Sequence, residues 1–264
     1  MQNKRPFGHR LREWRQRRHL SQLELATDIE ISARHLSFVE TGRSQPSRGM
    51  VLKLAESLAV PLRERNALLV AAGFAPMYGA LSLSDPAMSA ARAAVELILQ
   101  GHEPYPALLV DRHWNLVSAN KAAQRFLAHV APGLLRPPVN VLRATLHPDG
   151  FSRRIENLPQ WRTHVLARLA RDLELTADAT LAGLLTELRG YPGGEERVDA
   201  EPPGVVVPMR VSSEAGTMSL FSTTTVFGTA VEVTLSELVL EAFYPADEFT
   251  KKALAQVAAS DTAS

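Results

Sequence analysis

LSQLELATDIEISARHLSFVETGRSQPSRGMVLKLAESL, residues Leu20 to Leu58, is the stretch from which the rest of the chain can be read. Ser21 stands where an N-cap is needed, and Glu24 three residues on completes the pattern of a capping box. Leu25, Ala26 and Ile29 then recur at helical spacing. Ser32 caps a second helix, Ser32 to Thr41, whose apolar stripe carries Leu36 and Val39. Thr41-Gly42 stops it, because glycine tolerates the left-handed residue that closes a helix. Ser47 after Pro46 starts a third, with Val51, Leu54, Ala55 and Leu58 on one stripe. Two short helices around a tight turn, then a loop and a third helix, form a helix-turn-helix unit. Glu30 sits in the turn, where a left-handed residue would cost about 1 kcal/mol, so a turn of different construction is expected there.

The flanks extend the bundle. Gly8 to His19 reads as a basic helix with Leu11 and Trp14 inward and Arg10, Arg12, Arg17 and Arg18 free to face phosphate. Pro61 to Ala72 reads as a further helix opened by proline. Charge is divided unevenly along the 264 residues. Residues 1–73 hold 13 Lys/Arg against 7 Asp/Glu, a balance of +6, and the remainder holds 16 against 21, a balance of −5. A basic helical unit joined to an acidic larger one suits a DNA reader coupled to something that does not touch DNA. No run of eighteen apolar residues occurs, so no membrane span is expected. The basic N-terminus is not followed by an apolar core, so no signal peptide is expected, and the chain reads as cytoplasmic. Zero cysteines exclude disulfides, thiolate metal sites and thiol catalysis together.

From Phe7 to Gly73 the chain resembles the XRE-type, Cro-like repressors. The likeness rests on Leu20-Ser21-Gln22, Leu25-Ala26, Ile31-Ser32, Leu36, Glu40-x-Gly42 and Pro46-Ser47. It implies that Arg15 and Glu40 form a structural ion pair; the alternative is two separate surface charges. It also implies that the helix from Ser32 enters the major groove, with Ser32, Ala33, Arg34 and His35 at base edges and Ser37 and Phe38 a turn further on. Arg34 suits a bidentate contact to guanine or a phosphate clamp. Ala33 and Phe38 suit thymine methyls, although Phe38 could instead pack on a neighbouring element, and His35 could cap or pack. Gln22, Arg43 and Arg48 are phosphate-contact candidates.

Beyond a connector, Met77 to Ser84, Asp85-Pro86 caps a helix with Met88, Ala91, Val95 and Leu99 on one face. That helix is either a dimer element or a cover for the second domain's core. The period then changes. Ala107–Asp111 and Trp114–Ala119 read as strands around a turn at Arg112-His113. Helical segments follow at Lys121–Leu127, Val139–Thr145, Phe151–Glu156, Trp161–Leu173 and Ala179–Arg189, and then a Gly/Pro-rich acidic loop, Tyr191 to Gly204. Strands are expected at Val205–Val211, Thr217–Val226 and Thr229–Leu240, turned at Gly216 and Gly228, with a short helix and tail after Ala246.

Two strands, a helical block and a three-strand meander make the whole an α+β protein: a helix-turn-helix bundle followed by a PAS-like domain, a five-stranded antiparallel sheet with helices on one face. From Arg63 the chain also resembles the MmyB-like bacterial regulators. The residues that carry this are the run Arg63 to Leu69, Ala71 to Gly73, His102 to Ala107, Trp114 to Leu116, His147 to Gly150, Phe221 to Thr223 and Phe227 to Ala230. That likeness implies a transcription factor whose DNA binding answers to a small apolar ligand.

No nucleophile elbow, phosphate loop or dinucleotide fingerprint appears, and no pair of histidines has zinc-site spacing, so neither an enzyme nor a metal protein is expected. His147 and Asp149 could serve a metal or a proton transfer, or else shape a turn in which Asp149 caps the following helix. A pocket is expected between sheet and helices, walled by Trp114, Asn120, Phe126, His147, Trp161, Phe221 and Phe227. A cation among His164, Arg168 and Arg171 would hold a ligand carboxylate, unless the arginines are a solvated face. The expected cargo is a fatty acid or similar apolar small molecule, and the expected partners are operator DNA and a second copy of the chain. The alternative is a C-terminal domain that only dimerises or binds a protein partner. Expected bounds are 1–75 for the DNA-binding domain, 76–101 for a connecting segment and helix, 102–250 for the ligand domain and 251–264 for a tail.

Overall fold

The computed structural model describes residues 6–194, 207–227 and 232–262. The chain divides into two compact units: residues to Ser82, with which Glu174–Thr176 and residues 232–236 group, and the remainder from Leu83.

The first unit is built on five helices: α1 (Phe7–Arg17), α2 (Gln22–Asp28), α3 (Ala33–Glu40), α4 (Arg48–Ser57) and α5 (Leu62–Ala71). The three serine caps are made. Ser21 accepts from the Glu24 amide within a complete capping box, Ser32 from His35 and Ser47 from Met50. Pro61 is the N-cap of α5 rather than its first helical residue. Leu11, Leu25, Leu36, Val51, Leu54, Leu58 and Leu69 meet in one core and are essentially inaccessible. Burying a leucine removes about 1.5–3 kcal/mol of exposure cost, so this cluster is the chief stabiliser of the unit.

All five helices end alike. The amide two residues past the cap reaches back five residues: Leu20 to Arg15, Ile31 to Ala26, Arg43 to Phe38, Val60 to Ala55 and Phe74 to Leu69. Each such closure places its preceding residue in the left-handed region. Gly42 and Gly73 do this without strain, but His19, Glu30 and Ala59 carry side chains at φ 55°, 60° and 47°. The turn at Glu30 is therefore of the ordinary kind, and the expectation of a different construction fails. The apolar contacts of Ile31 and the closing hydrogen bond outweigh the strain. We expect Glu30→Gly to stabilise the unit by roughly 0.5 kcal/mol, read as a small rise in the urea midpoint; glycine's larger unfolded-state entropy offsets part of the relieved strain.

In the second unit, α6 (Ser89–Gly101) follows a 3-10 turn at Pro86–Met88 capped by Asp85. Next come β1 (Ala107–Val110), β2 (Leu116–Ala119), α7 (Lys121–Leu127), α8 (Val141–Leu146), α9 (Leu158–Thr176) and α10 (Ala179–Arg189). The chain closes with β3 (Met209–Ser213), β4 (Gly216–Val226), the single turn α11 (Val233–Ser236), β5 (Val239–Pro245) and α12 (Glu248–Thr262). The sheet is antiparallel in the order β2-β1-β5-β4-β3. β5 is thus central, and Leu108 and Thr224 both register against Glu241. Side chains from α7 to α10 pack on the sheet face that carries Val110, Met209, Val211, Met218 and Leu220.

Three expectations need correction. Val233 and Leu235, expected as alternating strand positions, are not strand: Glu232 accepts from the Leu235 amide and caps a helical turn, while the strand begins at Val239; Val231 lies outside the described residues. The tail expected from residue 251 is helical through Thr262, with Asp247 accepting from the Thr250 amide and Ala253 and Leu254 buried. The helix assigned to a connecting segment belongs to the second unit, where Val95 and Leu99 are buried. Gly228 and most of the loop Tyr191 to Gly204 lie outside the described residues.

Candidate functional site

The reading surface of the first unit is α3. Ser32 is exposed but committed as cap, Ala33 leans partly on the core, and Arg34 is exposed with its guanidinium 5.4 Å from the Phe38 ring centroid. Arg43 lies 6.0 Å from the same centroid. Phe38 is therefore half-buried between two cations, which steadies Arg34 at the surface without neutralising it. His35 and Ser37 are half-buried on the same helix, and Arg48 is exposed at the start of α4.

Behind α3 lies a buried polar cluster. Arg15 donates from Nε to Glu40 Oε1 at 2.7 Å and from its terminal nitrogen to Oε2 at 3.0 Å, with its other nitrogen on the Leu20 carbonyl. Arg12 and Gln22 donate to Oε2 at 3.3 and 2.8 Å. The Glu40 side chain is fully buried. Burial pushes its carboxyl up, but the hydrogen bonds from Arg15 and Gln22, the charge of Arg15 and the bond from Arg12 outweigh that and hold it below the ordinary carboxylate range. Gln22, expected at phosphate, has its amide nitrogen tied to this cluster. Arg12 and Arg18 are likewise engaged: Arg18 donates to the Leu58 and Ala59 carbonyls at the end of α4 and stacks on Trp14.

The second unit contains a groove between sheet and helices. Its apolar part is walled by Phe126, Val130, Phe151, Met209 and Leu220 among others, around a cavity of about 80 Å³. A second part, ending at Trp114, His164, Arg168, Ser222 and Glu241, shares Leu108, Val141, Thr145, Trp161 and Phe243 with the first. The polar end is held by Arg168, which grips Glu241 with two nitrogens at 2.7 and 2.5 Å and lies 4.5 Å from the Trp114 centroid. Thr224 adds a hydroxyl to the same carboxylate. Trp114 has φ 65°, in the left-handed region, and donates from its indole to Asp172 at 3.3 Å. Burial raises the Asp172 carboxyl despite Arg168 and Trp114. His164 stacks on Trp161, and burial with the charges of Arg168 and Arg171 lowers its pKa against the pull of Glu241.

Of the expected pocket walls, Trp114, Phe126, Trp161, His164 and Arg168 line this groove. The other four do not. Asn120 is a four-way tie: its oxygen accepts from the Ala107 and Ala123 amides and its nitrogen donates to the Leu99 and Tyr105 carbonyls. His147 accepts from the Asp149 amide in a turn and rests against Tyr191. Asp149 does not cap the next helix; it pairs with Arg153. Phe221 stacks on Tyr244, and Phe227 lies in a separate small hollow with Val95 and Ile98. Glu241 lies one residue past the strand expected from sequence, which stops at Leu240, whereas β5 runs to Pro245. An acid at its alternate inward position was the signal available. Among the described residues no cluster of metal-ligating side chains occurs, and no helix is long and apolar enough to cross a membrane.

Comparison with known proteins adds three findings. Residues 91–257 match the family model of the MmyB-like transcription regulator ligand binding domain, and residues 6–68 match that of a helix-turn-helix domain. No curated protein matches. Among solved structures, the chain has a likeness to an RNA-binding light-oxygen-voltage receptor at 14% identity and a TM-score of 0.28, covering 95% of this chain and 65% of that one. The chain thus spans just under two thirds of that receptor.

Proposed function

Since the chain belongs to the MmyB-like transcription regulator family, we propose that it binds an operator as a homodimer and that its C-terminal groove receives a small apolar molecule which sets that binding. The observation that carries the DNA half is the exposed Arg34, stacked on Phe38 at the surface of α3 in a basic unit. A guanidinium held over a ring loses less freedom on making two hydrogen bonds to guanine, and Phe38 beside it offers an apolar face to a neighbouring thymine methyl. Arg43 and Arg48 serve the phosphates, and Gln22 couples the start of α2 to the buried pair rather than acting alone. Two half-sites one helical turn apart fit a dimer of such small modules. Leu97 and Ile98 on α6, exposed at 71% and 42%, favour that helix as the dimer face.

The ligand half rests on the groove's apolar walls and its polar end, where Arg168 and Glu241 are paired. A ligand alters DNA binding only by binding the competent and incompetent states with different affinity. The decisive experiment selects duplexes from a random pool with the full chain and measures fluorescence anisotropy on the selected sequence. Arg34→Ala is expected to lose 1–3 kcal/mol of discrimination at one G·C pair, roughly 5- to 150-fold, with weak non-specific binding retained. A variant that selects and binds the same sequence unchanged would remove α3 from the reading role.

A further inference from the structure

The groove's two parts meet at Trp161. This residue is 5% exposed, it lines both parts, and its indole nitrogen has no hydrogen-bond partner among the described residues. An unmet buried donor costs about 1–3 kcal/mol, a penalty that an acceptor on a bound molecule removes. The cations that would draw a carboxylate to the same end are already spent. Arg168 is held by both oxygens of Glu241, whose side chain is 5% exposed. An acid head placed there would face the charge of Glu241 at close range and could bind only by breaking that pair. Asp172 adds a second acid beside Trp114. The Thr145 hydroxyl is already donated to the Val141 carbonyl. What the junction offers, then, is the unmet neutral donor of Trp161, with the Ser222 hydroxyl and the His164 ring beyond it, between an apolar chamber and a self-neutralised end.

From this geometry we propose that the ligand is an uncharged, carbonyl-bearing apolar molecule, such as a ketone, ester or lactone, whose oxygen accepts a hydrogen bond from the Trp161 indole while its chain lies against Phe126 and Phe151. This deepens, and rests on, the reading of the second unit as a ligand domain. It replaces the expectation of a cation holding a fatty-acid head.

The test uses the full chain with the neutral apolar dye Nile red bound, displaced by three probes of equal length: 2-decanone, decanoate and decane at neutral pH. The ketone is expected to bind about tenfold more tightly than either of the others, the equivalent of one good hydrogen bond. Trp161→Phe is expected to abolish the preference for the ketone over decane, both measured on the variant, and retained Nile red binding shows that the chamber remains formed. Glu241→Gln, nearly isosteric, frees the charge of Arg168 and is expected to raise decanoate affinity about tenfold. Decanoate binding as tightly as the ketone to the unaltered chain would overturn the inference while leaving a ligand domain. So would a loss of ketone and decane affinity together in the Trp161 variant, if Glu241→Gln also left decanoate unmoved. Failure of dye and all three probes to bind would instead sink the ligand reading beneath it.

Discussion

Glu40→Ala is expected to destabilise the helical unit by about 3–5 kcal/mol and to abolish operator binding through loss of the fold. Removing the carboxylate leaves Arg15, which is 9% exposed, as a buried charge without its counter-ion, and leaves the Gln22 amide and Arg12 without their acceptor. Thermal melting of the variant followed by circular dichroism checks the size of the loss; a change under about 1 kcal/mol would mean the pair is no more than a surface bridge. Acid titration gives an independent reading. Glu40 titrates lower in the folded protein than in the unfolded chain, so its contribution is complete above the unfolded value of about 4.3 and drains away as the pH falls through the folded value. The wild-type unit should therefore lose stability below that range more steeply than Glu40→Gln.

Gly8→Ala is the second large effect. A β-carbon on Gly8 would stand 2.3 Å from the Glu40 carbonyl oxygen and 2.6 Å from that of Val39, both backbone atoms at the end of α3. Neither can rotate away, so α1 must be displaced from the helix it packs on, at a cost of about 3 kcal/mol, the upper range for overpacking. Gly49 supplies the control. It lies in α4 with nothing within 4 Å of a built β-carbon, and Gly49→Ala should stabilise by roughly 0.5–1 kcal/mol. Urea midpoints of the two variants moving in opposite directions would verify the reading; a Gly8 variant as stable as wild type would refute it.

How much of this was legible beforehand varies with the range of the interaction. Caps are local chemistry, so Ser21, Ser32 and Ser47 could be assigned from three-residue spacing alone. The Arg15–Glu40 pair spans 25 positions and came only from a family likeness. Arg168 and Glu241 are 73 apart, and nothing local points from one to the other. Strand β5 was misplaced because Val231, Val233 and Leu235 imitate a two-residue period, while its true span contains an acid and ends in proline. Asn120 was read as a wall for its position at a strand end. A polar side chain that satisfies four backbone groups looks the same in sequence as one that faces a ligand.

The three tryptophans are partitioned in a useful way. Trp14 belongs to the helical core, under Arg17 and Arg18, whereas Trp114 and Trp161 border the groove. Intrinsic emission from a Trp114→Phe, Trp161→Phe chain would come from the first unit alone, and that from Trp14→Phe from the second. Each half of the molecule thus carries its own optical label, and a change in either unit could be followed separately without attaching a foreign chromophore.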